Sequence, residues 1–210
     1  VYELRVVATK VLGTCTADPP VTPGEYFTVR DGDIRIPGGG SVCLWALQSV
    51  LPLITPKERE IAEARDQDWM WRVHSAQCPD PAGRVIYRIE RVRKLERGSE
   101  EPEGDGLLAP RVETLRKTGT EGRLKELRVV VEEVGGKCTS GMRPGDYFVL
   151  RNGRLSIPAG RHFCLYALHA ALPLLPAKQR PLADGDWMKE DCHVICPDPA
   201  GNVVMRIEEL

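Results

Sequence analysis

The chain lacks any apolar run long enough to cross a bilayer. Its longest candidate, Phe163 to Leu175, is broken by His169 and Pro173 and falls short of the ~18 residues that suggest a span, so no membrane span is expected. Charge of one sign is also missing: the formal net charge is −1 over 210 residues. No Lys/Arg block is dense enough to follow a phosphate backbone, and nucleic acid is not an expected partner. There is no Walker loop, dinucleotide fingerprint, nucleophile elbow or H-E-x-x-H motif, which removes the usual support for nucleotide-binding, hydrolase and zincin chemistry. No C-x-x-C pair occurs either. What cysteine there is, seven residues in no tight framework, points to a reducing compartment with free or metal-bound thiols. Tyr2 to Val11 alternates charge with apolar residues as a strand does and not as a signal peptide does. The expectation is a cytoplasmic protein.

What is present is a repeat. Glu3 to Cys15 (ELRVVATKVLGTC) lies over Glu126 to Cys138 (ELRVVVEEVGGKC) with eight of thirteen positions identical. PGEYF at Pro23 to Phe27 then matches PGDYF at Pro144 to Phe148, and CLWAL at Cys43 to Leu47 matches CLYAL at Cys164 to Leu168. DQDWM at Asp66 to Met70 recurs as DGDWM at Asp184 to Met188, and CPDPAG at Cys78 recurs at Cys196. Ordered matches at nearly constant spacing signal internal duplication. The modules run over 2–92 and 125–210, joined by a charged linker, 93–124, whose Glu, Gly, Arg and Lys content suits a solvated connector. Within it Ala109 to Lys117 can form one or two helical turns, and Gly98 to Gly106 can bury nothing apolar.

Each module carries the same elements. LRVVATKVL and LRVVVEEV are β-branched runs suited to a first strand. Asp31-Gly32 and Asn152-Gly153 sit between short alternating runs, the strongest short-range hairpin signal. The spacing of Cys43, Leu47, Val50, Leu51 and Ile54 predicts one helix, and Cys164, Leu168, Ala171, Leu172 and Leu175 predict its copy. Pro52 and Pro173 are expected to end or kink them. The fold class is therefore α+β: two tandem copies of a small, mostly antiparallel β-sheet with one packed helix, arranged as a pseudo-symmetric dimer within one chain. A module of roughly 85 residues is marginal alone and gains stability from its copy, and the cleft between copies is a natural ligand site.

The pattern G-x-C, P-G-[DE]-x-F, C-x-x-A, L-P, C-P-D-P resembles a family of small bacterial and archaeal single-module proteins to which no biochemical role is assigned. The resemblance covers nearly all of both modules. It implies that Cys15, Cys43 and Cys78, with Cys138, Cys164 and Cys196, sit at the family's motif cysteines, and it carries no catalytic assignment.

Several residues could carry chemistry. Cys192 stands four residues before Cys196, where the first module has His74 before Cys78. A Cys/His exchange is one that a zinc or iron site tolerates, which makes Cys138, Cys164, Cys192 and Cys196 a candidate ligand set, with Cys15, Cys43, Cys78 and His74 as its copy. Against it, residues four apart on an extended strand lie ~13 Å from each other. Cys43 and Cys164 begin predicted helices, where the dipole lowers a thiol pKa, but they also head the apolar stripes, as small buried hydrophobes do. Asp66 with Asp68, and Asp184 with Asp186, place paired carboxylates beside Trp69 or Trp187, as general acid–base work or a magnesium ion requires; a capped turn anchored by its Trp is the plainer reading. Asp80 and Asp198 read as turn caps. His162, His169 and His193 occur in the second module, where the first has Ser41, Gln48 and Ser75. Titratable chemistry is thus expected in the second copy, with Asp184, Asp186, Cys164 and His169 acting on a small-molecule ligand in an isomerase- or lyase-like reaction. The alternative is a non-catalytic interaction module with structural or metal-binding cysteines.

Overall fold

A computed structural model of the chain describes residues 1–59, 73–95 and 124–210. The first D-x-D-W-M motif, with Asp66, Asp68 and Trp69, lies outside the described residues, as do Gly98 to Gly106 and the turns expected over Ala109 to Lys117.

The first half supplies β1 (Tyr2–Val11), β2 (Tyr26–Arg30), β3 (Asp33–Arg35), β4 (Val42–Cys43), β5 (Ser75–Gln77) and β6 (Val85–Lys94). The second supplies β7 (Leu127–Val134), β8 (Tyr147–Arg151), β9 (Arg154–Ser156), β10 (Phe163–Cys164), β11 (His193–Ile195) and β12 (Val203–Glu209). β6 thus runs two residues past the expected module boundary at Val92. The Asp31-Gly32 and Asn152-Gly153 hairpins form as the sequence predicts, with positive φ at all four residues (51° and 82°, then 47° and 72°), the geometry that joins twisted antiparallel strands over a two-residue loop.

The strands form two six-stranded antiparallel sheets, ordered β10-β3-β2-β1-β6-β5 and β11-β12-β7-β8-β9-β4. Neither sheet is confined to one half. β10 pairs with β3 through Phe163↔Ile34 and Cys164↔Asp33, and β4 pairs with β9 through Val42↔Leu155 and Cys43↔Arg154. The exchange is tied at both places by a backbone bond into the neighbouring hairpin: Leu165 N donates to Gly32 O at 2.7 Å, and Leu44 N to Gly153 O at 2.8 Å. Each sheet thereby ends in a two-residue edge strand from the other half, and so short an edge offers little ladder for further pairing.

The expected helices follow directly from the exchanged strands. α1 spans Leu44–Glu58; its counterpart is divided into α2 (Leu165–Ala171) and α3 (Leu175–Lys178). The expected effect of proline is seen in one half only. Pro52 lies within a continuous α1, whereas Pro173 falls in the break between α2 and α3. The second half also has Pro176 in the first turn of α3, a position where proline favours a new helix start. Both apolar stripes are buried apart from half-buried Leu51, and they join Leu4, Phe27, Ile34, Phe148, Leu155 and Phe163 in one core that runs through both halves. A short α4 (Trp187–Glu190) precedes β11.

Candidate functional site

The G-x-C and CPDPAG motifs, whose first residues lie 65 positions apart in the first half (Gly13, Cys78) and 60 in the second (Gly136, Cys196), fold onto each other. Thr14 N donates to Ala82 O at 2.9 Å and Lys137 N to Ala200 O at 2.8 Å. Glycine is required for this approach: a Cβ on Gly13 would lie 2.0 Å from Ala82 O, and one on Gly136 2.2 Å from Ala200 O. Asp80 and Asp198 cap the turns, each accepting through Oδ1 from the amide two residues on, at 2.9 Å. Asp80 Oδ2 also accepts from Thr16 Oγ1 at 2.8 Å, and these bonds hold its carboxyl below the usual range. The motifs therefore position cysteines: Cys15 comes to rest against the turn that follows Cys78.

Cys43, the residue before α1, completes the group. A cavity of about 130 Å³ is lined by Cys15, Cys43, Cys78 and Tyr87 of the first half and by Asn152 and Arg180 of the second. Its floor holds its protons. Burial pushes the Cys43 and Cys78 thiols up, and the helix-start amides of Trp45 and Ala46 that face Cys43 do not reverse this. Burial likewise pushes the Tyr87 phenol well above its ordinary value. Asp80 and Thr16 belong to the polar rim, and Val21, Ala46 and Val85 to the apolar wall.

The second half builds the counterpart from Cys138, Cys164 and Cys196, again with burial pushing the Cys164 and Cys196 thiols up. Its surroundings differ at aligned positions. Tyr87 corresponds to Met205, Ser41 to His162, Glu58 to Gln179, and Arg154, the strand partner of Cys43, to Asp33, the strand partner of Cys164. Arg154 is 5% exposed and fully engaged: it donates to Ser41 Oγ at 2.6 Å, Ser41 O at 2.8 Å and Pro19 O at 3.2 Å, and pairs with Glu25 at 2.5 Å. Asp33 faces His162 Nε2 at 3.5 Å, while its Oδ1 is buried without a hydrogen-bond partner. Burial raises the Asp33 carboxyl to about 6, against the opposing pull of His162 and the Ser140 hydroxyl. His162 Nε2 also lies 3.0 Å from Ser140 O.

The residues singled out from sequence are dispersed. Asp186 caps α4, accepting from Met188 N at 3.0 Å, and the Asp184 side chain is 100% exposed beside Lys189 at 2.6 Å. Trp187 does not anchor this turn to the core, being 62% exposed. His169 lies on the outer side of α2 and lines an apolar groove of about 520 Å³ with Leu51 and Pro52 of α1, whereas Cys164 is buried at the start of α2. His193 is bound to Glu132 at 2.8 Å. The four proposed catalytic residues share none of the cavities described here. As for metal, no three or more His, Cys, Asp or Glu side chains among the described residues are grouped to hold an ion. Cys192 lines a separate pocket, with Lys178 and Arg206.

Sequence reasoning missed Tyr87 and the residues reached across the exchange, Asn152, Arg154, Gln179 and Arg180. For Tyr87 a signal existed: VIYRIE and VVMRIE align residue for residue, and the phenol is the one substitution there that adds a polar group. For the others, only the strand exchange brings them to the first-half cysteines. No family model, curated protein or solved structure matches the chain.

Proposed function

We infer that the protein binds a small, uncharged and mostly apolar molecule in the three-cysteine cavity of the first half. The observation that carries this reading is the composite lining: Cys15, Cys43, Cys78 and Tyr87 are closed over by Asn152, Gly153, Gln179 and Arg180 from the other half. The volume of about 130 Å³ is on the scale of a benzene-sized occupant. Neutral thiols and a neutral phenol at the floor disfavour a buried ion and leave O–H and S–H donors for one polar group.

Binding without covalent chemistry fits Cys43 and Cys78 best, because thiols whose pKa is raised by burial are poor nucleophiles. Isomerase- or lyase-like proton transfer by Asp184 and Asp186 draws no support from a helix cap and a fully exposed carboxylate. On this reading the chain is a tandem duplicate whose modules, 2–92 and 125–210, form an intramolecular pseudo-dimer by exchanging β4 and β10. The resemblance to single-module proteins then suggests that two such chains exchange the same strands.

A fragment screen by ligand-observed NMR tests the assignment. Neutral, benzene-sized hits should lose at least tenfold in affinity when Cys15→Met fills the rim, and keep it in Cys138→Met. No hits, or hits indifferent to Cys15→Met, would remove the reading.

A further inference from the structure

A second cavity, of about 500 Å³, lies on the second half; it shares no lining residue with the three-cysteine site, although Lys125, Lys178 and Pro181 of its wall are chain neighbours of Leu124, Gln179 and Arg180 there. β7 and β12 contribute Leu127, Arg206 and Ile207; α3 contributes Lys178, and the segment around α4 contributes Met188 and Cys192. Lys178 sets the chemistry. It is 8% exposed, and its ammonium donates to the Met188 carbonyl. No carboxylate among the described residues pairs with it. The other cations at the pocket are neutralised: Lys125 by Glu209 at 2.8 Å, Lys189 by Asp184 at 2.6 Å, and Arg206 by Glu208 at 2.7 Å and Glu132 at 3.2 Å. A nearly buried ammonium held only by a neutral carbonyl is incompletely compensated, and an anion in the cavity would complete it.

This pocket also gives the D-x-D-W-M motif a role apart from catalysis. Asp186 caps α4, α4 fixes Met188, and the Met188 carbonyl orients Lys178. In the first half the aligned Lys57 is buried as well, and His74, which takes the place of Cys192, is held below its ordinary pKa by burial and by Lys57, Arg88 and Arg91.

We propose that the cavity bounded by Lys178, Cys192 and Arg206 binds a small organic monocarboxylate, its carboxylate on the Lys178 ammonium and its apolar chain against Leu127, Met188 and Ile207. One uncompensated cation calls for one negative charge, and the apolar wall favours an organic acid over an inorganic ion. The volume lies within the range of small-molecule sites. The half-buried Cys192 thiol reports occupancy.

The test follows alkylation of Cys192 by iodoacetamide, in which the thiolate sulfur displaces iodide and the thiol proton passes to buffer, using mass spectrometry of digested full-length chain. Hexanoate should slow the reaction saturably, and hexanamide at the same concentration should not. Lys178→Met, which keeps the apolar stem, should weaken hexanoate protection at least tenfold, while Lys10→Gln, at an exposed lysine on β1 outside the pocket, leaves it unchanged. Alkylation of Cys15 and Cys138 in the same digests, at wild-type rates, shows that each variant is folded; Lys178→Gln replaces Lys178→Met if it is not. Equal protection by acid and amide, protection that survives loss of the Lys178 charge, or no protection at about 10 mM hexanoate, weaker than any millimolar site, would each overturn the proposal.

Discussion

The two cysteine sites of this molecule share a backbone plan but are surrounded by opposite charges. At the first, the strand partner of Cys43 is Arg154; at the second, the strand partner of Cys164 is Asp33. Because β4 and β10 are exchanged, each of these residues belongs to the half opposite the cysteine it faces. A substitution in either half therefore alters the other half's site, and the sites could diverge without any change in their own cysteine motifs. The difference extends to how the charges are held. Arg154 spends its donors on Ser41, Pro19 and Glu25, while Asp33 leaves one buried oxygen unpaired.

The largest expected effect breaks this comparison at its charged pair. Arg154→Met removes the partner of Glu25 and leaves the Ser41 and Pro19 carbonyls without a donor. Breaking a buried pair in this way typically costs 3–5 kcal/mol, and a loss of about 3 kcal/mol is expected because Glu25 retains access to water. Asp33→Asn should instead be neutral or stabilising at pH 8, since burial already favours the uncharged form of this carboxyl. Urea unfolding of both variants measures the contrast. Equal losses would mean that the two junctions are electrostatically alike after all.

A second contrast lies at the ends of the helices, where Glu58 and Gln179 align. Glu58 is buried, accepts from Gly32 N at 3.0 Å, and is raised by burial from 4.5 to about 7. Between those values the folded chain keeps a proton that the unfolded chain has lost. Stability contributed by this group is therefore full below the unfolded value and is lost as pH rises toward 7. Glu58→Gln keeps the acceptor and removes the titration, so it should match wild type near pH 4 and exceed it at pH 8 by on the order of 2–3 kcal/mol. Gln179→Glu should import the same weakness into the second half, because the buried Gln179 donates through Nε2 to Lys125 O, a bond that a carboxylate cannot make. Thermal melts from pH 4 to pH 8 decide this; a flat difference for Glu58→Gln would show that the carboxyl does not titrate in that window.

The parts of the fold legible in the sequence were those set by local pattern. The hairpins announced themselves through Asp-Gly and Asn-Gly, and the apolar stripes from Cys43 and Cys164 are buried as their spacing requires. The strand exchange was not legible. Val42-Cys43 and Phe163-Cys164 are two-residue strands, too short to carry a period, and nothing in a repeat says whether its copies pair within themselves or with each other. The site suffered for that reason. Its cysteines stood out by position in the repeat, but Arg154, Gln179 and Arg180 reach the first-half cysteines only through the exchange. The three second-half histidines, conspicuous in sequence, ended up in three separate places: beside Asp33, in the α1–α2 groove, and on Glu132.

The smallest expected effect concerns Asp184 and Asp186, and it separates a helix cap from an acid–base group through the choice of replacement. A cap needs only a short side-chain acceptor, which Asn supplies as well as Asp does. Asp186→Asn should therefore change stability by a few tenths of a kcal/mol at most, while Asp186→Ala, which leaves Met188 N without its acceptor, should cost about 1 kcal/mol, a fall of roughly 3 °C in melting temperature for a chain of this size. Asp184→Ala should leave the melting temperature unchanged, because its pair with Lys189 is exposed and screened. A group that transfers protons would give a different order, with Asn as damaging to function as Ala, since both remove the titrating oxygen. Melts of the three variants, read beside hexanoate protection of Cys192, resolve the two. Under the cap reading Asp186→Ala also loosens the turn that presents the Met188 carbonyl to Lys178, so it should weaken that protection where Asp186→Asn does not.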